Sequence, residues 1–327
     1  MSRDTSTNTK TVLPVKSLAI AIFSGLMTSS VNADTLAQPA DTSLERTASH
    51  YIQFREDVSK IEGTPFKNAD STREAHRLLG THDSKYISSG WVAYAALVAA
   101  DSPAFAKALK KELKKSKQRG LTSQQAFLSK LGQNPRLPRE LSGVDDAIAA
   151  VLNMTVSDSA RISALGEEFK TQAYAMQKTK WGKKRISAGP TRVNDAEAYG
   201  RSRSMPSTPD LYVQEDSGVV TPSLASSSEN WDASWGASAS GGLSSERNAD
   251  VILDRILNLA ARYSVGALNE KVVAVYARND RSEQCLSMAK LTLDQCIAAT
   301  RSPYEEAFCI GEHALNDTAT CTSWVAN

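Results

Sequence analysis

A largely apolar stretch without a charged residue covers residues 86–100. From Trp91 onward it has no polar face at helical spacing, and a helix that is apolar all round must be buried on every side. It is also shorter than the roughly 20 apolar residues that a membrane span needs. The pattern therefore predicts a central core helix over 86–100.

The segments on both sides of this stretch repeat apolar residues every three or four positions, which is the spacing of amphipathic helices. Helices are predicted over 42–62, 70–79, 103–119 and 122–131, and two more over 142–179 with a break near 155–159. Helical spacing resumes after residue 245, and no stretch shows the sustained alternation of a strand. The predicted class is all-α: an irregular multi-helix bundle around 86–100.

Residues 189–245 are rich in serine, proline and glycine, and the helical spacing fades there. Such a composition is typical of a linker or a long surface excursion. Its Trp231 and Trp235 either tuck into a groove of the protein or stack on sugar rings. The pattern divides the chain into an N-terminal helical domain over 34–188, this linker, and a C-terminal helical region over 246–327.

Residues 1–33 have the three parts of a signal peptide. Basic residues at Arg3, Lys10 and Lys16 precede a short apolar run, and small residues at Val31 and Ala33 precede the expected cleavage point. An uncleaved anchor is the alternative, although the run is far below spanning length. We expect export to a secreted or periplasmic location, with no transmembrane segment after cleavage.

All four cysteines of the chain lie near its C-terminus. An even number in an exported chain indicates disulfide bonds. A zinc site formed by Cys309 and His313 is the alternative, but the close cysteine pairs of such sites are absent. We therefore expect disulfides, no metal and no cofactor.

The cysteine spacing predicts how the bonds pair. Cys285 and Cys296 lie three helical turns apart, about 16 Å along one helix, which is too far for a bond between them. A capping box at 302–305, with proline at the first helical position, predicts a second helix that carries Cys309. A short connection makes the two helices an antiparallel hairpin. The predicted bonds are Cys296–Cys309 and Cys285–Cys321, with Cys321 in a loop after a helix end at 316–318.

The chain has a formal net charge of +2, and removal of residues 1–33 leaves it formally neutral. This balance argues against nucleic-acid binding. Basic side chains nevertheless concentrate on the predicted helix 103–119 and again near residue 184. These candidate binding residues are Lys107, Lys110, Lys111, Lys114, Lys115, Lys183, Lys184 and Arg185. They form either a solvated face or a surface for an anionic envelope polymer.

Four residues that could carry chemistry precede the core helix: Glu74, His76, His82 and Asp83. Imidazole and carboxylate groups are those that hydrolytic sites use. The alternative is that they cap helices and satisfy backbone groups. No metalloprotease motif, nucleophile elbow or phosphate-binding glycine loop is present, so no catalytic residue is assigned.

The function expected from these patterns is that of an exported, non-catalytic helical protein with a binding or structural role. Its partner would be an anionic envelope polymer or another envelope protein. One alternative is an extracytoplasmic hydrolase, which requires Glu74, His76, His82 and Asp83 to converge in one pocket. The other is a polymer binder through the basic helix 103–119, which requires the two basic clusters to form one patch.

Overall fold

The computed structural model describes residues 43–203 and 249–326. Within these ranges the chain is helical and contains no β-strand, so the all-α class is confirmed. The helices are α1 (Ser43–Glu62), α2 (Ala69–Leu79), α3 (Ser84–Ala100), α4 (Pro103–Lys115), α5 (Ser123–Gln133), α6 (Val144–Met176), α7 (Gly189–Ser202), α8 (Asp250–Ser264), α9 (Glu270–Tyr276), α10 (Asp280–Ala299), α11 (Pro303–Cys309) and α12 (Asp317–Ser323). The predicted signal peptide, Trp231 and Trp235 lie outside the described residues.

The central helix is α3, and all of its residues from Gly90 to Ala99 are buried. It packs against α1, α8 and α10, so residues from both predicted domains share one core. A Cβ at Gly90 would lie 2.8 Å from the backbone nitrogen of Tyr51. Glycine is therefore what lets α1 and α3 approach so closely.

The described residues contain no single helix that is long and apolar enough to cross a bilayer. α3 and α4 meet that condition only as a pair, and the two are bent by 80° relative to each other.

α4 ends at Lys115, four residues before the predicted end.

A buried polar network joins α1, α3 and α6 within the core. Arg55 Nε lies 3.2 Å from a carboxylate oxygen of Asp158, and the Tyr51 hydroxyl donates to that oxygen at 2.9 Å. Arg55 also donates to the Tyr94 hydroxyl. Because a buried charge is tolerated only when it is paired and hydrogen-bonded, this network fixes how the three helices meet.

The predicted break near 155–159 is wrong, since α6 runs unbroken for 33 residues. The hydroxyls there bond within the helix: Thr155 donates to the carbonyl of Val151 at 2.8 Å, and Ser159 to that of Val156 at 3.1 Å. Serine and threonine within a helix can bond to a carbonyl one turn back and leave the helix continuous. These two residues do so, and α6 therefore does not end here.

No helix was predicted in the first part of the segment 189–245, interpreted as a linker or a long surface excursion, but residues 189–202 form α7. Pro190 lies in the first turn, where its missing N–H costs nothing. The helix escaped detection because it buries Arg192 and few apolar residues. Residues 204–245 of the predicted linker lie outside the described residues.

The C-terminal region is bridged as predicted, by Cys285–Cys321 and Cys296–Cys309, with Cα separations of 5.4 and 5.7 Å. The capping box at Ser302 and Glu305 is present. These disulfides are compatible with an extracytoplasmic location.

The predicted helix end at 316–318 is wrong. After α11 the chain continues as a π-helical segment, Ile310–Asn316, into α12, so Cys321 lies on a helix. Asn316 does not act as a terminator, because its side chain donates to Glu167 of α6 at 2.6 Å. Gly311 and Gly166 allow this segment to approach α6, since a Cβ at Gly166 would lie 2.7 Å from the Gly311 carbonyl.

Candidate functional site

A cleft of about 360 Å³ lies between α2, the segment 177–188, α7 and α11. Four cationic side chains line it: Arg73, Lys184, Arg185 and Arg192. Trp181 forms part of its wall, and Glu306 lies at its base. We call this feature the basic cleft.

The segment that carries Lys184 and Arg185 is held by backbone hydrogen bonds to the start of α11. Ile186 donates to the carbonyl of Arg301 at 3.0 Å, and Tyr304 donates to that of Gly182 at 3.3 Å. Trp181 packs on the small apolar cluster that contains Met176. This wall of the cleft is thus anchored on both sides.

Arg192 is the deepest cation of the cleft, with a side chain only 2% exposed. Its Nη1 lies 2.5 Å from a Glu306 carboxylate oxygen, and its Nη2 donates to the Thr300 hydroxyl. The Thr72 hydroxyl donates to the other Glu306 oxygen at 2.7 Å. Burial raises the pKa of Glu306, and the charge of Arg192 opposes that rise. Among the described residues, Arg192 Nε has no hydrogen-bond partner.

The other cations of the cleft are more open. Arg73 donates to Asp195 at 2.8 Å and is half exposed. Lys184 and Arg185 are exposed, and no ion pair involves either of them within the described ranges. Asp70 and Glu306 are the carboxylates that line the cleft, so its positive side chains outnumber its negative ones.

The four candidates for hydrolytic chemistry do not form one site. Glu74 is exposed and pairs with Arg77 at 3.1 Å. Asp83 caps α3 by accepting hydrogen bonds from the backbone of Lys85 and Tyr86, which is the alternative role foreseen for it.

The two histidines of that set lie in different surroundings. His76 is fully buried, and burial together with the charges of Arg192 and Lys290 lowers its pKa to about 3. It is therefore neutral, and its 4.0 Å approach to Glu306 is no ion pair. His82 Nε2 instead lies 2.8 Å from Asp57 in a second cavity, which it lines together with Asp83 but without Glu74 or His76.

The two basic clusters do not form one patch. The five lysines of α4 are exposed, and α4 begins beside Gly143, at the start of α6. Lys183, Lys184 and Arg185 follow the other end of α6, and its 33 residues span about 50 Å. A polymer binder that uses both clusters at once requires one contiguous patch, and the structure does not provide it.

The alternative zinc site is excluded by the disulfide of Cys309, and His313 pairs with Asp317 at 2.9 Å. Within the described part of the chain, no three histidine, cysteine or carboxylate side chains are grouped as metal ligands.

Sequence reasoning found Lys184 and Arg185 but missed Arg73, Trp181, Arg192 and Glu306. The only local signal for Arg192 was the proline two residues before it, typical of a helix start.

Comparisons with protein-family models, with curated proteins and with solved structures find no match to this chain.

Proposed function

We propose that this is a non-catalytic binding protein of an extracytoplasmic compartment, and that it holds an anionic group in the basic cleft. The observation that carries the proposal is the surplus of positive charge there. Glu306 is already neutralised by Arg192, while Lys184 and Arg185 have no acidic partner in the described ranges. Such a surplus attracts an anion and steers its approach.

The chemistry of the cleft favours an oxyanion such as a phosphate or carboxylate. A guanidinium group binds these planar or tetrahedral anions through parallel N–H groups, and lysine adds a point charge. Arg192 offers a free Nε at the base, and Trp181 offers an apolar flank. A cleft of about 360 Å³ takes one or two charged units of a longer polymer.

Export is the second part of this proposal. It is supported by the pattern of residues 1–33 and by two disulfides, which persist in oxidising compartments. Protein recovered from its host should begin at Asp34, as N-terminal sequencing would establish. An intact Met1 in the accumulated protein contradicts export with cleavage.

The binding experiment uses soluble polyphosphate as the probe, with isothermal titration calorimetry at two salt concentrations. The double variant Lys184→Gln/Arg185→Gln should bind at least about tenfold more weakly, because charge-assisted contacts contribute about 1.5 to 3 kcal/mol each. Its affinity should also depend less on salt.

The matched control is Lys114→Gln/Lys115→Gln, which removes the same charge from exposed positions of α4. It should leave binding nearly unchanged. If both double variants lose the same affinity, the effect is one of net charge alone. If only the control loses affinity, the binding site lies on α4. Absence of polyphosphate binding by the unaltered protein contradicts the proposal.

A further inference from the structure

A second cavity, of about 610 Å³, lies at the C-terminal end of α7. It is bounded by α1, the turn between α2 and α3, the end of α7, and α10. We call it the polar cavity. Arg192 of α7 faces the basic cleft, whereas Gly200, Arg201 and Arg203 of the same helix region line this cavity.

Each arginine or lysine that lines the polar cavity has an acidic partner. Arg203 holds the buried Asp57 through both Nη atoms, at 2.5 and 3.0 Å. Lys290 pairs with Asp294 at 2.5 Å. Arg201 lies 3.8 Å from Glu197.

Asp57 is further satisfied by the His82 ring at 2.8 Å. Burial raises the pKa of Asp57, but the hydrogen bonds from His82 and Arg203 outweigh that effect and hold it below its usual range. The cations of the cavity are thus paired, and the Asp83 carboxylate, which also lines it, caps α3. The cavity has no surplus of positive charge, in contrast to the basic cleft.

The groups with open hydrogen-bonding capacity are instead uncharged. Gln53 lines the cavity and is only 9% exposed. Its carboxamide has no hydrogen-bond partner within the described ranges. Burial lowers the pKa of His50, so its neutral ring offers one donor and one acceptor. The buried Thr81 hydroxyl also lacks a partner among the described residues.

Each of these three groups both donates and accepts hydrogen bonds. A buried polar group without a partner costs stability, and a ligand that supplies the missing partner recovers that cost. The buried Thr81 hydroxyl therefore indicates one contact of such a ligand, and the Gln53 carboxamide lines the same cavity.

An aromatic surface lies beside these groups. The ring of Tyr86 stacks on that of His50 with centroids 4.5 Å apart and planes within 8°. Tyr86 is still 51% exposed, so His50 supports one face of the ring while much of the residue stays open. This stack fixes Tyr86 as a rigid apolar platform at the cavity mouth.

We infer that the polar cavity binds a neutral polyhydroxylated ligand, namely a segment of an oligosaccharide. Sugar hydroxyls donate and accept at once, as Gln53, His50 and Thr81 do. The weakly positive C–H face of a sugar ring suits the electron-rich face of Tyr86. The volume is within the range of ligand sites, and the paired charges give no advantage to an anion.

The test is saturation-transfer NMR on the full mature protein with three neutral probes: maltotetraose, cellotetraose and tetra-N-acetylchitotetraose. At least one should give saturable binding. Gln53→Met keeps the side-chain length but removes the hydrogen bonds, and it should weaken that binding about tenfold or more. Tyr86→Ala, at an exposed position, should weaken it severalfold without altering the fold.

The matched control is Tyr174→Ala, since Tyr174 is also exposed, at 57%, but does not line the cavity. It should leave oligosaccharide binding unchanged. Polyphosphate binding should be unaffected by Gln53→Met and Tyr86→Ala, which separates this inference from the proposed function.

Three results overturn the inference. The first is the absence of binding by all three oligosaccharides. The second is binding that neither Gln53→Met nor Tyr86→Ala weakens. The third is tighter binding of an uncharged amide probe, N-acetyl-diglycine amide, than of any sugar, because that result assigns the cavity to peptides.

Discussion

The helices α3 and α7 are held in this protein by opposite means. α3 is surrounded by apolar side chains, and ten consecutive residues from Gly90 to Ala99 are buried. α7 buries only Gly189, Arg192 and Ala196. It is attached mainly through charged groups.

Ion pairs hold α7 and Arg203, the residue that follows it, at several points along the helix. They are Arg192 with Glu306, Asp195 with Arg73 and Arg77, and Arg203 with Asp57. The ring of Tyr199 also lies 4.6 Å from the guanidinium of Arg77 and 5.4 Å from that of Arg203. Because ion pairs respond to pH and salt while apolar contacts respond far less, the two helices should differ in their sensitivity.

This difference matters for function, since α7 and the residue after it contribute side chains to both the basic cleft and the polar cavity. α3 builds the scaffold, and only its first turn, through Ser84, Tyr86 and Ile87, lines the polar cavity. The proposed sites therefore depend on the helix that is held electrostatically.

The largest effect is expected from Ala96→Asp in α3, compared with Ala198→Asp in α7. Ala96 is fully buried and Ala198 is exposed. A buried, unpaired carboxylate together with overpacking should cost about 5 kcal/mol or more, whereas the exposed change should stay within about 0.5 kcal/mol. Chemical denaturation would measure both, and similar stabilities for the two variants contradict the assignment of α3 as the core.

The next effect concerns the buried ion pair of α7. Arg192→Met leaves Glu306 buried without its counter-charge, which should cost about 3 to 5 kcal/mol at pH 7. The loss should be smaller at pH 5, because burial already raises the pKa of Glu306 and protonation removes the charge. The double variant Arg192→Met/Glu306→Leu should regain most of the stability. A double variant no more stable than Arg192→Met would show that packing, and not charge, holds this end of α7.

A pH-dependent effect is expected from His76, which lies beside that pair. Its pKa is lowered to about 3 in the folded protein from 6.5, so the unfolded chain binds a proton more tightly. Stability should therefore fall as pH falls from 6.5 toward 3, by about 1.4 kcal/mol per pH unit. At pH 5 the loss is about 2 kcal/mol.

The variant His76→Leu isolates this contribution. The difference in unfolding free energy between variant and unaltered protein should shift in favour of the variant as pH decreases, and it should be constant above pH 7. A difference that does not change with pH would mean that His76 is protonated in neither state or in both.

The smallest effect is expected at the exposed pairs of α7. Asp195→Asn removes the partner of Arg73 and Arg77. Because these side chains are partly exposed, the cost should be only about 0.2 to 1 kcal/mol. The cost should decline further in high salt, and a larger, salt-independent loss would assign Asp195 a structural role beyond charge pairing.

Apolar periodicity predicted the elements that pack through apolar faces. It identified α3, the helices around it and the hairpin geometry that sets both disulfides, because burial, capping boxes and helical spacing are local properties of the sequence. It failed at α7, where Arg192 and Arg203 replace apolar residues at the contacts. It also failed at 316–318, where the side chain of Asn316 bonds to α6.

The residues of the candidate sites also divide into those that the sequence identified and those that it did not. The sequence by itself determined the helical class, the buried central helix, the disulfide pairs and the exposed lysines of α4 and near residue 184. Only the tertiary structure placed Arg73, Trp181, Arg192 and Glu306 around one cleft, and Gln53, His50 and Tyr86 around one cavity. These groups come from helices far apart in sequence, and a polar side chain acquires its partner, or is left without one, only when such helices pack.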